Sequence, residues 1–105
     1  MSTLKNNRWN LDEIDKMILE DGLRIKAAYF YKDMDLMIIL LNNKKVIKRN
    51  LSEFKRLNNT SEELLNNYEI SRTGIHWSKL DEDLSLRGFI KHEMLKSIQE
   101  ESTVA

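Results

Sequence analysis

The sequence predicts an α+β domain: a small antiparallel sheet, made of a three-strand meander plus one or two short strands, packed with an N-terminal helix, two short middle helices and a C-terminal helix. Three observations carry this reading. Apolar residues keep a helical period before Gly22, shift to a strand-like pattern between residues 23 and 48, and return to helical spacing after residue 50. Polar turn residues cut the strand-like stretch into pieces short enough for hairpins to join. At 105 residues and 12.5 kDa the chain can build one core, so residues 1–105 read as a single domain.

Asn10-Leu11-Asp12-Glu13 has the pattern of a capping box, and Leu11, Ile14, Met17 and Ile18 follow at helical spacing, which predicts a helix over 11–20 that Gly22 terminates with a positive φ. Leu23, Ile25, Ala27, Tyr29 and Tyr31 alternate with Arg24, Lys26, Ala28 and Phe30, a strand over 23–31. The unbroken run Leu36-Met37-Ile38-Ile39-Leu40-Leu41 predicts a central strand covered on both faces. Asn42-Asn43, which tolerate left-handed backbone, predict a tight hairpin into a third strand over 45–48.

Leu51, Phe54 and Leu57, three residues apart, predict a short helix over 51–57, and a second capping-box pattern at Thr60-Ser61-Glu62-Glu63 predicts another before Asn66-Asn67. Tyr68-Glu69-Ile70 and Ile75-His76-Trp77, separated by Gly74, read as short strands. Ser85 caps a predicted C-terminal helix over 85–99, striped by Leu86, Phe89, Ile90, Met94 and Ile98. Asp81, Glu82 and Asp83 stand just before its positive end.

Composition excludes several classes of function. Seventeen basic and seventeen acidic residues cancel, so the chain lacks the overall charge of a protein that coats nucleic acid or anionic lipid. Having no cysteine, it can form no disulfide, thiolate metal site or cysteine nucleophile. Its longest apolar run, Leu36 to Leu41, is far short of a membrane span, and the polar stretch from Ser2 to Asn10 has no signal-peptide core, so a cytoplasmic location is expected. Three glycines cannot furnish a dinucleotide cradle, and no glycine-rich phosphate loop or serine elbow is present.

Few residues remain as candidates for chemistry. His76 could ligate a metal or move a proton, with Asp81 and Asp83 five and seven residues on, but that spacing matches no zinc motif, and neither a metal nor any other cofactor is expected. Asp81-Glu82-Asp83 could be paired catalytic carboxylates, yet stabilising the helix dipole accounts for them without a substrate. Residues 44–56 carry the strongest charge asymmetry: Lys44, Lys45, Lys48, Arg49, Lys55 and Arg56 against the single acid Glu53. With Tyr29, Phe30 and Tyr31 nearby, that segment could dock single-stranded nucleic acid, or it could simply hold solvated lysines that discourage edge pairing.

The order of segments is similar to that of a known family. Leu51-Ser52-Glu53-Phe54-Lys55-Arg56-Leu57 is followed by Thr60-Ser61-Glu62-Glu63, by Tyr68-Glu69-Ile70, by Gly74-Ile75-His76-Trp77 and by Leu80-Asp81-Glu82-Asp83-Leu84-Ser85-Leu86-Arg87-Gly88-Phe89-Ile90. Over residues 23–90 this resembles the bacterial domain-of-unknown-function family 2442, the Ile-His-Trp and Leu-Asp-Glu-Asp stretches being the most diagnostic. The sequence departs from the family pattern at Asn42-Asn43, where a glycine is common, at Ser78, where proline is common, and in the added helix over 11–20. The resemblance implies a small bacterial or phage protein with no assigned reaction, sometimes one half of a toxin–antitoxin-like gene pair. Some members carry a helix-turn-helix, but only one helix is expected after Asp83 here, so direct operator reading is disfavoured.

The expectation is a non-catalytic module that binds another protein or a second copy of itself, as an antitoxin-like or inhibitory component. Its candidate contacts are Asp12, Glu13, Asp15 and Glu20 on the first helix, with Asp21 beside them, and Trp77. Trp77 is an anchor if exposed, though an aromatic on a short strand is more often core, so that its burial decides. The alternative is a single-stranded nucleic-acid binder using residues 44–56.

Overall fold

The fold is given by a computed structural model, described here over residues 13–104. The N-terminal helix, α1, is described from 13 to 19; its expected cap at Asn10 lies outside the described residues. Gly22, with φ of 73°, closes it as expected, and the Leu23 amide donates back to the Met17 carbonyl.

Three antiparallel strands follow as a meander in the order β1 (Ile25–Tyr31), β2 (Leu36–Leu41) and β3 (Val46–Arg49). A bulge near Lys26 shifts the register of β1, after which Ala28 faces Ile39 and Ile39 faces Ile47 across the ladder. Ala28, Met37, Ile39, Leu41 and Ile47 point into the core, where α1 contributes Ile14 and Ile18. The turn before β2 ends at Asp35, whose left-handed φ of 52° aims its carboxylate at the amide and hydroxyl of Ser52, at 2.7 and 2.8 Å.

The β2–β3 hairpin differs from the tight Asn42-Asn43 turn expected. The Lys44 amide donates to the Leu41 carbonyl, and Lys44 itself takes the left-handed conformation at φ of 74°. This loop is a turn followed by a left-handed residue, the position glycine favours. Asn42 is used elsewhere: its side chain accepts from the Arg24 amide and donates to the Gly22 carbonyl, tying the loop to the end of α1. Relieving the left-handed lysine with Lys44→Gly is expected to stabilise the fold by about 1 kcal/mol. In a thermal melt this reads as a rise in Tm of about 4 °C or more.

The single helix expected over 51–57 is two turns. A 3-10 turn at Leu51–Glu53 and a short helix, α2 (Lys55–Asn58), are separated by Phe54 in an extended conformation. Both geometries satisfy a spacing of three, so Leu51 and Leu57 still reach the core. The next helix, α3 (Glu62–Leu65), is capped by Ser61 rather than Thr60, the Ser61 hydroxyl accepting from the Leu64 amide.

A second three-stranded antiparallel sheet replaces the one or two loose strands expected. Its order is β4 (Glu69–Ile70), β5 (Gly74–Trp77) and β6 (Glu82–Ser85). The acids read as helix caps are therefore corrected: Asp81 sits in the β5–β6 turn with φ of 53°, while Glu82 and Asp83 pair with Trp77 and His76 inside the sheet. Ser85 does cap the last helix, α4 (Leu86–Val104), by accepting from the Gly88 amide at 2.9 Å. That helix runs past the expected end at residue 99. Leu86, Phe89 and Ile90 are buried and Met94 half-buried, whereas Ile98, placed on the same stripe by its spacing, is 52 % exposed.

The two sheets share one core. Phe30 of β1, Tyr68 and Trp77 of β5 form an aromatic cluster with ring centroids 5.7 to 6.1 Å apart in edge-on and tilted geometries. The Tyr68 hydroxyl donates to the Ala28 carbonyl of β1 at 3.3 Å.

Candidate functional site

The pleat of the first sheet sends alternate side chains to its outer face. There Tyr31 pairs with Leu36, Tyr29 with Ile38 and Lys48, and Ala27 with Leu40 and Val46. Tyr29, Tyr31 and Val46 are each close to half exposed, at 48, 45 and 49 %, and Ala27, Leu36, Ile38 and Leu40 are partly exposed. The expectation that β2 is covered on both faces is thus corrected: Met37, Ile39 and Leu41 are buried, but the alternate residues of the same apolar run look outward. A contiguous apolar face edged by polar groups is the usual form of an interaction surface.

The basic segment does not form one surface. Lys44 and Lys45 flank the hairpin and Lys48 lies on the outer face. Arg49 turns the other way, with Nη2 2.7 Å from Glu53 Oε1 and its guanidinium 4.9 Å from the centre of the Phe54 ring. The Arg49 hydrogen bond holds the Glu53 carboxyl below its ordinary value of 4.5. Lys55 is exposed on α2, and Arg56 is drawn to the β5–β6 turn, where it donates to the Asp81 carbonyl and faces the Asp81 carboxylate at 3.6 Å. Phe30, grouped with Tyr29 and Tyr31 in the sequence, points inward, leaving two exposed tyrosines.

Of the acidic contacts expected on the first helix, Asp12 lies outside the described residues. Glu13 and Glu20 are exposed, as is Asp21, whereas Asp15 approaches Arg87 at 3.4 Å and links α1 to α4. Trp77 as an anchor for a partner is corrected outright. It is completely buried, and its indole N–H donates to the Leu65 carbonyl at 2.7 Å, so it belongs to the core.

Sequence reasoning set His76 beside Asp81 and Asp83 but missed Ser71. His76 Nδ1 lies 2.8 Å from Asp83 Oδ1, and His76 Nε2 lies 2.6 Å from Ser71 Oγ. A hydroxyl, an imidazole and a carboxylate in that order are the parts of an activated nucleophile. Their setting differs from such a site. The Asp83 side chain is 75 % exposed, and Ser71 Oγ also accepts the Thr73 amide within its own turn. None of the three lines the groove of about 380 Å³ between α1, the β2–β3 hairpin and α4. The trio joins the β4–β5 turn to β5 and β6, a hydrogen-bonded crosslink over one face of the second sheet. Asp81, the other carboxylate read beside His76, is turned toward Arg56 instead.

Comparisons with known proteins agree with this architecture. A family model described as Protein of unknown function (DUF2442) matches residues 25–94. The solution NMR structure of an uncharacterised protein from Chromobacterium violaceum is similar in fold, with a TM-score of 0.60 at 19 % identity, covering 80 % of this chain and 78 % of that one. A crystal structure of a protein of unknown function from Rhodospirillum rubrum is similar with a TM-score of 0.57 at 27 % identity, covering 68 % of this chain and 88 % of that one. No curated protein matches the sequence. Among the described residues no helix is long and apolar enough to cross a membrane, and no group of three histidine, aspartate or glutamate side chains could hold a metal ion.

Proposed function

We propose, from the premise that this chain belongs to the DUF2442 family of proteins of unknown function, that it is a non-catalytic module that binds another protein, acting as the antitoxin-like or inhibitory half of a small bacterial or phage system. The observation that supports the reading is the open apolar face of β1, β2 and β3. Its outward residues come from a central strand whose uninterrupted hydrophobicity exceeds what one buried face requires. The acids Glu13 and Glu20 are a secondary contribution to steering, since exposed charge alters encounter rates more than affinity.

The test is co-purification of tagged full-length protein from its native cell, wild type against Ile38→Glu. Glutamate at 38 lies opposite Lys48 across the ladder, a favourable cross-strand pair that preserves the sheet while charging the face. The same partner, identified by mass spectrometry, is expected with wild type and lost with the variant, whose circular dichroism is unchanged. Recovery of identical proteins with both, or of the monomer alone at micromolar concentration, would sink the reading.

A second reading draws on Tyr29 and Tyr31 sharing a face with Lys48, the parts of a platform on which single-stranded bases stack. It is the weaker one, because Ile38, Leu40 and Val46 fill the rest of that face with aliphatic groups that offer no ring to stack on, and Arg49 and Arg56 are engaged within the fold. Binding of an oligouridylate that collapses with salt and with Tyr29→Ala would favour it over a protein partner.

A further inference from the structure

We infer that the outer face of the β1–β2–β3 sheet receives a single amphipathic α-helix of another protein, a helix with acidic residues along its flanks. The inference rests on the docking reading above and specifies the occupant. Dimensions argue for one helix. Strands about 4.8 Å apart place β1 and β3 about 10 Å from one another, the diameter of a helix with its side chains. The six residues of β2 extend for about 20 Å, the length of a helix of about 13 residues. A sheet face of this width is the ordinary complement of one helix in layered α/β packing.

Charge argues for an acidic occupant. The face is edged by Lys26 at the bulge and Lys44 at the hairpin and carries Lys48 on β3 itself, whereas Lys45 lines the groove on the other side; none of the first three pairs with a carboxylate among the described residues. The two acids within the meander, Asp33 and Asp35, both lie in the β1–β2 turn at the far end, the Asp35 carboxylate accepting from Ser52. The same lysines argue against a second copy seated face to face, because a two-fold pairing would oppose two lysine-edged surfaces of like sign. The occupant would place apolar anchors at i, i+3, i+4 and i+7 over Tyr29, Ile38 and Leu40, with glutamate or aspartate on either side.

The experiment uses the full-length, ¹⁵N-labelled protein and two lactam-stapled 14-residue helical peptides that share one leucine stripe. One peptide carries glutamate at the remaining positions and the other lysine. The glutamate peptide is expected to shift amide resonances of β1, β2 and β3 and to bind about tenfold or more tighter than the lysine peptide, a gap that closes at high salt. Lys44→Glu combined with Lys48→Glu is expected to reverse the preference. Equal affinities, no binding of the glutamate peptide, or shifts confined to the groove between α1 and α4 would overturn the inference. So would self-association in sedimentation equilibrium that Ile38→Glu abolishes, which would make the occupant a second copy, or an oligouridylate that displaces the peptide. If the native partner depends on Ile38 while the peptides show no charge preference, the docking reading stands and the acidic helix falls.

Discussion

Trp77→Ala is expected to leave the protein largely unfolded under conditions where the wild type is native. The indole is completely buried, packs edge-on against Phe30 and beside Tyr68, and satisfies the Leu65 carbonyl through its N–H. Removing a buried tryptophan side chain costs about 3–5 kcal/mol for lost burial and the cavity left behind, and the orphaned carbonyl adds about 1–3 kcal/mol. A small domain has about 5–15 kcal/mol of stability in all, so that loss consumes most of it. Urea unfolding followed by far-ultraviolet circular dichroism measures the effect. Trp77→Phe, which keeps a ring but not the donor, should fall between wild type and alanine. A Trp77→Ala protein with the wild-type midpoint would mean that the aromatic cluster does not hold the two sheets together.

Gly74→Ala should be the next most damaging change. A β-carbon at 74 would lie 2.3 Å from the Leu84 carbonyl oxygen and 3.0 Å from the Ser85 α-carbon, both of them backbone atoms of the neighbouring strand. Backbone cannot swing aside as a side chain can, so β5 and β6 must separate to admit one methyl group. A loss of about 3 kcal/mol is expected, at the upper end of what overpacking costs. Hydrogen exchange should show it locally, as fast exchange of β6 amides while β2 stays protected. Uniform protection in the variant would contradict the close approach at this position.

Much of the fold is legible in the sequence because it follows from local period. The change at Gly22, the alternation through Tyr31 and the return to helical spacing at Leu51 mark the elements without reference to anything distant. What is not legible depends on partners remote in the chain. Glu82-Asp83-Leu84-Ser85 has little intrinsic preference for a strand and becomes one through pairing with β5, so its acids look like helix caps until the register is known. The same register brings Asp83 opposite His76 and leaves Ser71 at the other imidazole nitrogen, a constellation that no spacing rule would select. Trp77 carries no mark in the sequence that separates an anchor from a core residue; the Leu65 carbonyl makes that choice. The outward face of β2 is an intermediate case. The apolar run announces two hydrophobic faces, but which of them the chain covers is decided by where α1 and α4 pack.

The connectivity of the sheets also bears on how fast the chain acquires its shape. Each strand pairs only with a strand adjacent to it in sequence, β1 with β2, β2 with β3, β4 with β5 and β5 with β6, so none of the ladders must wait for a long loop to close. Ladders closed between neighbouring strands favour rapid barrier crossing. The chain has no proline, so refolding also lacks the isomerisation step that commonly divides such reactions into fast and slow molecules. Stopped-flow refolding should therefore follow one exponential, and a newly made chain would have little time in which its hydrophobic strands lie unpaired.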